Sequence, residues 1–506
     1  MMSRLSGSSS DFTAVAFLVI VLLLFLGAAV QAVSAAGNDS VLRSPDGKGY
    51  RFDASGWVYL HTEGAPYERG YQHGYLLAPE ILHVQNATRY LTYLDTGMPW
   101  EYFILQSEQM FATTIEPEYR EEMRGIADGA TAAGTPISPQ EVLALNAQVE
   151  IVDYWWPTVR PDEYRKLEYS DHCSAFIATG AYTADKKIVV AQNTWNHYDD
   201  VRFFNLIHDI KPEAGNRILM QSMPAHLDSG TDYLVNSGGL VITETTIGGF
   251  SQYKPNMSPS FIRARKAAQY ARDLDTFVSL MQENNSAGVA NSWLVGDIKT
   301  GEIMRFEQGL RFMSVNKTRD GYFIGANYVE DPRIRNLETT GLSGIEIRES
   351  VGARLVRLPE LMEEHRGTIT PESARAILSD HYDVWLKKDQ ISCRTVEARC
   401  ELDPNPHDRA PFKPSGAVDG KVMDTAMAEN MTLSARWGSS SGIPFDAGQF
   451  LKEHPQYGYM QGYLPSYPTR PWTTFTTDDL PGQQETDPVM YLPRQNSPLP
   501  FALVFA

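Results

Sequence analysis

Asp171-His172-Cys173-Ser174-Ala175-Phe176 begins the stretch that decides the fold, and Gln192-Asn193-Thr194-Trp195 ends it. Between them, two apolar runs flank the turn-forming segment Thr183-Ala184-Asp185-Lys186, a pattern that predicts a β-hairpin. Cys173 would then be the first residue of the first strand. The sequence around it lacks the Cys-Trp or Cys-Tyr neighbourhood of a papain-type nucleophile, so a catalytic Cys173 would need a different base.

Cys173 has two interpretations at this position. If the peptide bond to His172 were cut, the new α-amine of Cys173 would be available to take the thiol proton. An α-amine has a pKa of roughly 7.7 to 8.0 and a thiol one of about 8.5, so this transfer is nearly isoenergetic. The alternative is a small buried core residue, which is what free cysteines usually are.

Several separate segments resemble the phospholipase B-like family of N-terminal nucleophile hydrolases, over most of the mature chain and in the family's order. They are Cys173-Ser174-Ala175, Asn193-Thr194-Trp195, residues 239–247, Asn291-Ser292-Trp293, residues 398–402 and residues 416–421. Residues 69–74 and 125–129 show a more distant likeness to the acyltransferases of penicillin biosynthesis. The chain departs from the family at Gln192, where phospholipase B-like proteins often have a histidine.

The resemblance implies an α+β fold, the four-layer αββα sandwich of N-terminal nucleophile hydrolases. Cleavage before Cys173 would divide the chain without dividing that fold. We expect residues 1–35 to be a signal peptide, residues 36–172 a mostly helical light chain, and residues 173–506 a heavy chain with the nucleophile and the sandwich core.

The resemblance also implies the roles of the candidate catalytic residues. Cys173 would be the nucleophile, and Asn291 would donate its side-chain amide to the oxyanion, although a turn or strand-end role is the alternative. Trp195 would form a wall of the acyl pocket or pack in the core. Asn193 would orient the α-amine. One arginine among Arg348, Arg354 and Arg357 would contact substrate, and the sequence does not distinguish between the three.

Other polar motifs favour structural roles. Arg69 and His73 precede the expected cut, and the glycines beside them indicate tight packing. Glu244 is expected to be an exposed strand carboxylate. The segment Gly438-Ser439-Ser440-Ser441-Gly442 matches the Gly-x-Ser-x-Gly pattern of serine lipases, but Pro444 breaks the helix that a nucleophile elbow needs, so we expect a loop.

Composition limits the classes of partner. The chain has 506 residues and a formal net charge of −18, which argues against nucleic acid and against docking on anionic membranes. A small-molecule or lipid acyl substrate remains compatible with this charge. Cys393 and Cys400 suit a local disulfide, which leaves Cys173 unpaired. No zinc-type spacing of His and Cys is present, so we expect no metal and no cofactor.

The N-terminal region indicates export. Residues 12–37 contain no charged side chain, and Val33-Ser34-Ala35 fits an export cleavage site, which predicts a secreted protein or one of a lysosome-like compartment. The apolar run is also long enough to span a bilayer as an uncleaved anchor.

Local patterns predict the other elements. Residues 50–170 read as mostly helical, with a cap at Ser138, and a further helix begins at Thr370-Pro371. Short strands are expected at residues 218–220, 240–245, 292–295 and 322–324, with one helix at about 261–281.

The sequence therefore predicts an exported hydrolase that cuts itself between His172 and Cys173 and then attacks acyl esters, with phospholipid as the implied substrate. Two alternatives stay open. One is an amidase or acyltransferase acting on N-acyl compounds, and the other is a secreted binding protein that has lost the chemistry.

Overall fold

The computed structural model describes residues 41–160, 173–199, 203–341, 344–407 and 409–487. The expected signal segment and His172 lie outside these ranges. Within them, no helix combines the length and the apolar character that crossing a bilayer requires.

The chain begins with strands β1 (Leu42–Arg43), β2 (Tyr50–Ala54) and β3 (Trp57–Gly64). Helices follow: α1 (Pro66–Leu76), α2 (Ala78–Thr96), α3 (Trp100–Phe111), α4 (Pro117–Ala132), α5 (Pro139–Asn146), a π-helix (Glu150–Trp155) and α6 (Trp156–Val159). The prediction of a mostly helical region is confirmed for residues 66–159 and wrong for residues 50–64, which form β2 and β3.

After the expected cut come β4 (Cys173–Thr179), β5 (Val189–His197), β6 (Leu206–Pro212), β7 (Ile218–Ser222), β8 (Leu234–Asn236) and β9 (Leu240–Thr246). Helices α7 (Ser260–Tyr270) and α8 (Leu274–Gln282) precede β10 (Asn291–Asp297), β11 (Glu302–Gln308), β12 (Met313–Thr318) and β13 (Gly321–Gly325).

The remaining elements are α9 (Pro332–Leu337), α10 (Ser350–Glu364), α11 (Pro371–Leu378), β14 (Tyr382–Asp383), β15 (Lys388–Asp389), β16 (Ser415–Ala417), β17 (Asp419–Asp424), α12 (Thr425–Glu429), β18 (Thr432–Trp437), α13 (Ala447–Glu453), β19 (Trp472–Thr476) and β20 (Thr486–Asp487). Short 3-10 helices occur at Gly180–Tyr182, Cys400–Leu402 and Pro455–Met460.

Two large sheets form the centre of the molecule. The first has ten strands in the order β1-β2-β3-β6-β7-β8-β9-β10-β11-β12, and the second has eight, in the order β13-β4-β5-β17-β18-β19-β20 with β16 also on β5. Among the strand pairs of the described ranges, only β3 and β6 run parallel. The predicted hairpin is confirmed, because β4 and β5 pair antiparallel with Cys173 opposite Thr194.

Side-chain alternation along β4 shows how the layers stack, since successive strand residues point to opposite faces. Ala175 and Ile177 pack against the first sheet, in a core that includes Val241 and Leu294. Phe176 and Ala178 face the other way and pack against α10 and α11. The outer face of the ten-stranded sheet is covered by the early helices and by α7 and α8. The expected four-layer αββα arrangement is confirmed.

Two helices begin at the residues that the sequence predicts. Ser138 caps α5 through the amide of Glu141, and Thr370 caps α11 through that of Ser373, as predicted. The prediction of a single helix at 261–281 is wrong, because this region forms two helices, α7 and α8. Asp273 starts the second of them by accepting a hydrogen bond from the Thr276 amide at 2.7 Å. Cys393 and Cys400 form the expected disulfide, and Cys173 is a free thiol.

Candidate active site

Cys173 lies at the start of β4 and is 2% exposed. It lines a cavity of about 160 Å³ together with Thr194, Trp195, Asp232 and Asn291. Other walls come from the π-helix, α7 and β10, and the aromatic residues among them include Tyr154, Phe204, Phe261 and Trp293. The structure thus brings together three of the four predicted catalytic residues, Cys173, Trp195 and Asn291, around one cavity.

The backbone of Cys173 is fixed on both sides. Its N–H donates to Asn327 Oδ1 at 3.2 Å, and its carbonyl accepts a hydrogen bond from the Arg354 guanidinium. Arg354 also donates to Asn327 Oδ1 at 3.1 Å and stacks over the Trp195 ring, 3.9 Å from its centroid. Arg354 is therefore the arginine of the three candidates that contacts the nucleophile. It contacts the backbone of Cys173 and does not line the cavity.

The other two arginines are elsewhere. Arg348 is exposed and pairs with Glu346, while Arg357 pairs with Asp380 at 2.8 Å. We expect Arg354→Met to lower the free energy of unfolding by at least about 2 kcal/mol, because it takes the guanidinium donor away from the buried carbonyl of Cys173 and removes one of the donors to Asn327 Oδ1. The same substitution at Arg348 should leave the melting temperature unchanged. Equal melting temperatures for the two variants, measured by calorimetry, would contradict the prediction.

The Cys173 thiol is in an environment that disfavours its ionisation. Burial raises the pKa of the thiol well above its usual value, and the carboxylate of Glu244 raises it further. The ammonium of Lys421 and a backbone hydrogen bond with Trp195 lower it, and Asp419 opposes them. Activation of this thiol therefore depends on groups that remove its proton or compensate its charge.

Two carboxyl groups share the cavity with Cys173. The Asn291 amide lies between them: Nδ2 is 3.3 Å from Asp232 Oδ2, and with the amide turned over it donates to Glu244 Oε2 at 3.1 Å. Burial raises the pKa of Asp232 to about 7. Burial and then the charge of Asp232 raise that of Glu244 well above its usual value. The two groups thus keep a proton between them near neutrality.

This arrangement corrects one expectation and qualifies another. Glu244 is 4% exposed rather than an exposed strand carboxylate, because the strand that contains it, β9, lies inside the ten-stranded sheet with both faces covered. Asn291 lines the cavity as predicted, but its amide is engaged by a carboxyl group. Its role as an oxyanion donor stays a prediction.

Asp232→Asn should reduce the pH dependence of stability. The wild-type carboxyl keeps its proton up to about pH 7 when folded but loses it near pH 4 when unfolded, so its contribution to stability is lost as the pH rises between these values. The variant should therefore be the more stable protein above pH 7 and equal to wild type below about pH 4. Urea unfolding across this range measures the difference, and a constant difference at every pH would contradict it.

Asn193 and Gln192 have structural contacts. The Asn193 amide donates to the Leu378 carbonyl at 2.8 Å, on the helix-covered face of β5, and Asn193 does not line the cavity. Its expected role in orienting the α-amine has no support from this position. Gln192 is fully buried and donates to the carbonyls of Thr231 and Glu244, so it joins the two sheets.

The motifs interpreted as structural are confirmed in those roles. Arg69 pairs with Glu122 at 2.6 Å, and His73 Nε2 accepts a hydrogen bond from the Ala225 amide. The Ser439 hydroxyl donates to Glu397, and no helix follows directly, so the Gly-x-Ser-x-Gly segment is not a nucleophile elbow.

One group of side chains has the composition of a metal site. His61, Asp209 and Asp478 offer ligand atoms within 4.8 Å of one another. The Arg217 guanidinium already contacts both carboxylates at 2.6 Å, so a cation occupies this position.

Sequence reasoning did not assign Asn327, Asp232 or Lys421 to the site. Asn327 and Asp232 lie in loops with positive φ, at 59° and 49°, and the sequence shows no periodic pattern around them. Lys421 ends a segment that resembles the phospholipase B-like family, and that resemblance was the signal available there.

Comparison with known proteins agrees with the resemblance seen in the sequence. A phospholipase B family model matches residues 68–315. An uncharacterized protein of Archaeoglobus fulgidus is 28% identical over 56% of this chain and 48% of its own length, and phospholipase B-like 1 of Homo sapiens is 24% identical over 63% and 62%. The chain thus spans about half to three fifths of the length of these relatives.

Two solved structures are similar to this chain, at lower sequence identity than the relatives above. A mutant conjugated bile acid hydrolase from Clostridium perfringens is 11% identical, with a TM-score of 0.32 over 52% of this chain and 89% of that one. Penicillin V acylase from Agrobacterium tumefaciens is 14% identical, with a TM-score of 0.30 over 52% and 82%.

Proposed function

Because this chain is related to the phospholipase B-like proteins, we propose that it is an acyl hydrolase with Cys173 as its nucleophile. The observation that carries the proposal is the position of Cys173. It is a free thiol at the first residue of a central strand, with its backbone fixed by Asn327 and Arg354 and its side chain in a cavity. A structural core cysteine needs none of these contacts.

The first reaction is cleavage of the chain itself. The Cys173 sulfur attacks the carbonyl carbon of residue 172, the bond to the Cys173 nitrogen breaks, and that nitrogen takes the proton that the thiol has lost. Water then hydrolyses the thioester and restores the thiol. The nitrogen is already 3.2 Å from Asn327 Oδ1, which would orient the new α-amine.

In turnover the α-amine takes the thiol proton, and the sulfur attacks the acyl carbonyl of the substrate. The alcohol leaves with a proton, and water hydrolyses the acyl thioester to the fatty acid. Aromatic side chains of the cavity, among them Tyr154, Phe204, Phe261 and Trp293, give the acyl group an apolar surface. We propose that the substrate is a fatty-acyl ester of a phospholipid.

The Cys393–Cys400 disulfide and the apolar N-terminal segment together support an exported protein, since disulfides persist in oxidising compartments. The proposal therefore places the reaction outside the cytosol.

The test is intact mass and N-terminal sequencing of the purified chain, incubated from neutral to mildly acidic pH, followed by assay on phospholipid vesicles. A heavy chain that begins at Cys173 and releases fatty acid supports the proposal. Release of acid from N-acyl amino acids but not from vesicles would make it an amidase. An uncut chain that is inactive on both would leave a binding protein.

A further inference from the structure

Lys421 is a fully buried lysine that the proposed reaction does not use. It lies on β17, opposite Gln192 of β5, while Cys173 lies opposite Thr194 of the same strand. Met423, two residues after Lys421, packs in the same core between the sheets as Ile177, four residues after Cys173. Because side chains alternate along a strand, Lys421 and Cys173 point into the same layer, on either side of β5.

The ammonium group of Lys421 has a complete set of acceptors. Nζ lies 2.5 Å from Thr194 Oγ1, 2.6 Å from Gln221 Oε1 and 3.1 Å from Asp419 Oδ1. An ammonium has three protons to donate, and each has a partner here. Burial lowers the pKa of Lys421, but Asp419 opposes that effect, and these contacts favour the charged form. Lys421 thus provides a positive charge and is not arranged to accept a proton.

Stability alone does not explain why the ion pair of Lys421 and Asp419 is buried here. Asp419 is also fully buried, and its carboxylate accepts from the Thr194 amide at 2.9 Å and from Gln221 Nε2 at 2.8 Å. A buried ion pair costs so much desolvation that apolar residues of the same volume usually stabilise a fold equally well. The network therefore indicates a use for the charge at this place.

The other charged groups around the Cys173 thiol indicate what the positive charge of Lys421 is used for. Glu244, with Asp232 beside it, faces the thiol from the first sheet, and Asp419 faces it from the second, and both disfavour a thiolate. Arg354 is a cation, but its guanidinium is bound to the carbonyl of Cys173. Among the residues that the structure describes, Lys421 points into the same layer as the sulfur, and its positive charge lowers the pKa of the thiol.

We propose that Lys421 is the counter-charge of the Cys173 thiolate and lets that thiolate form in the uncut chain, before any α-amine exists. This inference rests on the proposed function. Lys421 acts as a positioning residue, since it neither gives nor takes a proton. The thiol proton passes to water, the sulfur attacks the carbonyl carbon of residue 172, and the departing nitrogen takes a proton back from water.

Lys421→Gln tests the inference, because glutamine keeps hydrogen-bond donors for Thr194 and Asp419 while it removes the charge. The measurement is the rate of Cys173 alkylation by iodoacetamide against pH, followed by mass spectrometry. We expect the midpoint to rise by at least about one pH unit, which is a tenfold loss of thiolate at a given pH below it. Self-cleavage should slow by about the same factor.

Arg69→Gln is the matched control, since Arg69 is also a buried, paired cation, 1% exposed, in the helical layer away from the cavity. It should leave the midpoint unchanged. A folded Lys421→Gln protein with the wild-type midpoint would overturn the inference. Alkylation needs no substrate, so a shifted midpoint in a protein that hydrolyses nothing would keep this inference and reject the proposed function.

If Lys421→Gln does not fold, the effect of the Cys173 thiolate on the pKa of Lys421 provides the test. A thiolate that is stabilised by Lys421 must raise the pKa of the Lys421 ammonium by the same coupling free energy. The Lys421 titration, followed by NMR on ¹⁵N-labelled lysine, should therefore have a lower midpoint in Cys173→Ser than in wild type. Equal midpoints would overturn the inference.

Discussion

Cys173→Ala is expected to keep the chain in one piece and to lower ester hydrolysis by about 10⁴- to 10⁶-fold, the range found when a nucleophile or its partner is removed from hydrolases that use such groups together. Alanine removes the sulfur that would form both thioesters, the one with residue 172 and the one with substrate. Every contact of the Cys173 backbone is retained, because Asn327 and Arg354 bind its N–H and its carbonyl.

Retention of these backbone contacts separates chemistry from folding. The side chain of Cys173 is 2% exposed, and replacing the sulfur by hydrogen costs about 1 kcal/mol or a little more for the atom removed. The variant should therefore melt within a few degrees of wild type while it stays uncut. Cys173→Ser is the useful companion variant, since it keeps a weaker nucleophile in the same place and should cut itself slowly.

Intact mass measures the expected loss of self-cleavage, and fatty-acid release measures the expected loss of ester hydrolysis. A Cys173→Ala protein that is still cut after residue 172 would show that a second protease makes the cut. A pre-cut Cys173→Ala protein that hydrolyses esters at the wild-type rate would remove Cys173 from the mechanism altogether.

The sequence predicted the features of this site that depend on local pattern. The hairpin of β4 and β5 follows from two apolar runs around a turn, and the position of Cys173 at its start follows from the hairpin. The disulfide follows from the spacing of Cys393 and Cys400 and from the unpaired third cysteine.

The sequence could not predict which groups from distant segments meet around the thiol. Asp232 lies two residues before β8, which pairs with β9, the strand that contains Glu244. The two carboxyl groups share a proton because both are buried, and no local pattern encodes that burial. Glu244 was expected to be exposed because Thr243-Glu244-Thr245 reads as a polar strand. It is buried because both faces of its sheet are covered, which is a property of the whole fold and not of the strand.

Gly74→Ala is expected to lower the free energy of unfolding by at least about 3 kcal/mol, a large part of the 5 to 15 kcal/mol that stabilises a typical domain. Helices α1 and α4 pack so closely at this point that a Cβ on Gly74 would lie 2.0 Å from the carbonyl oxygen of Ile126. Three more glycines line the same contact, and a Cβ on each would lie 2.1 to 2.3 Å from a backbone oxygen of the facing helix: Gly70, Gly125 and Gly129.

The clash cannot be relieved by a side-chain movement, because the atom that the new methyl group meets is part of the backbone. The helices would have to separate, and separation would open space along the contact lined by all four glycines and loosen the packing of α1 on the ten-stranded sheet. The gain of helix propensity from glycine to alanine, about 1 kcal/mol, opposes this loss and is smaller than it.

Gly448→Ala is the matched control, because Gly448 is also helical, in α13, and a Cβ there would have as its nearest neighbour a side-chain oxygen of Asp446 at 3.4 Å. There the same substitution should be neutral or stabilising by up to about 1 kcal/mol. Urea unfolding of the two variants gives the comparison. Equal unfolding free energies would show that α1 and α4 can move apart at little cost, and the close glycine contact would then not be what fixes the early helices on the sheet that borders the cavity.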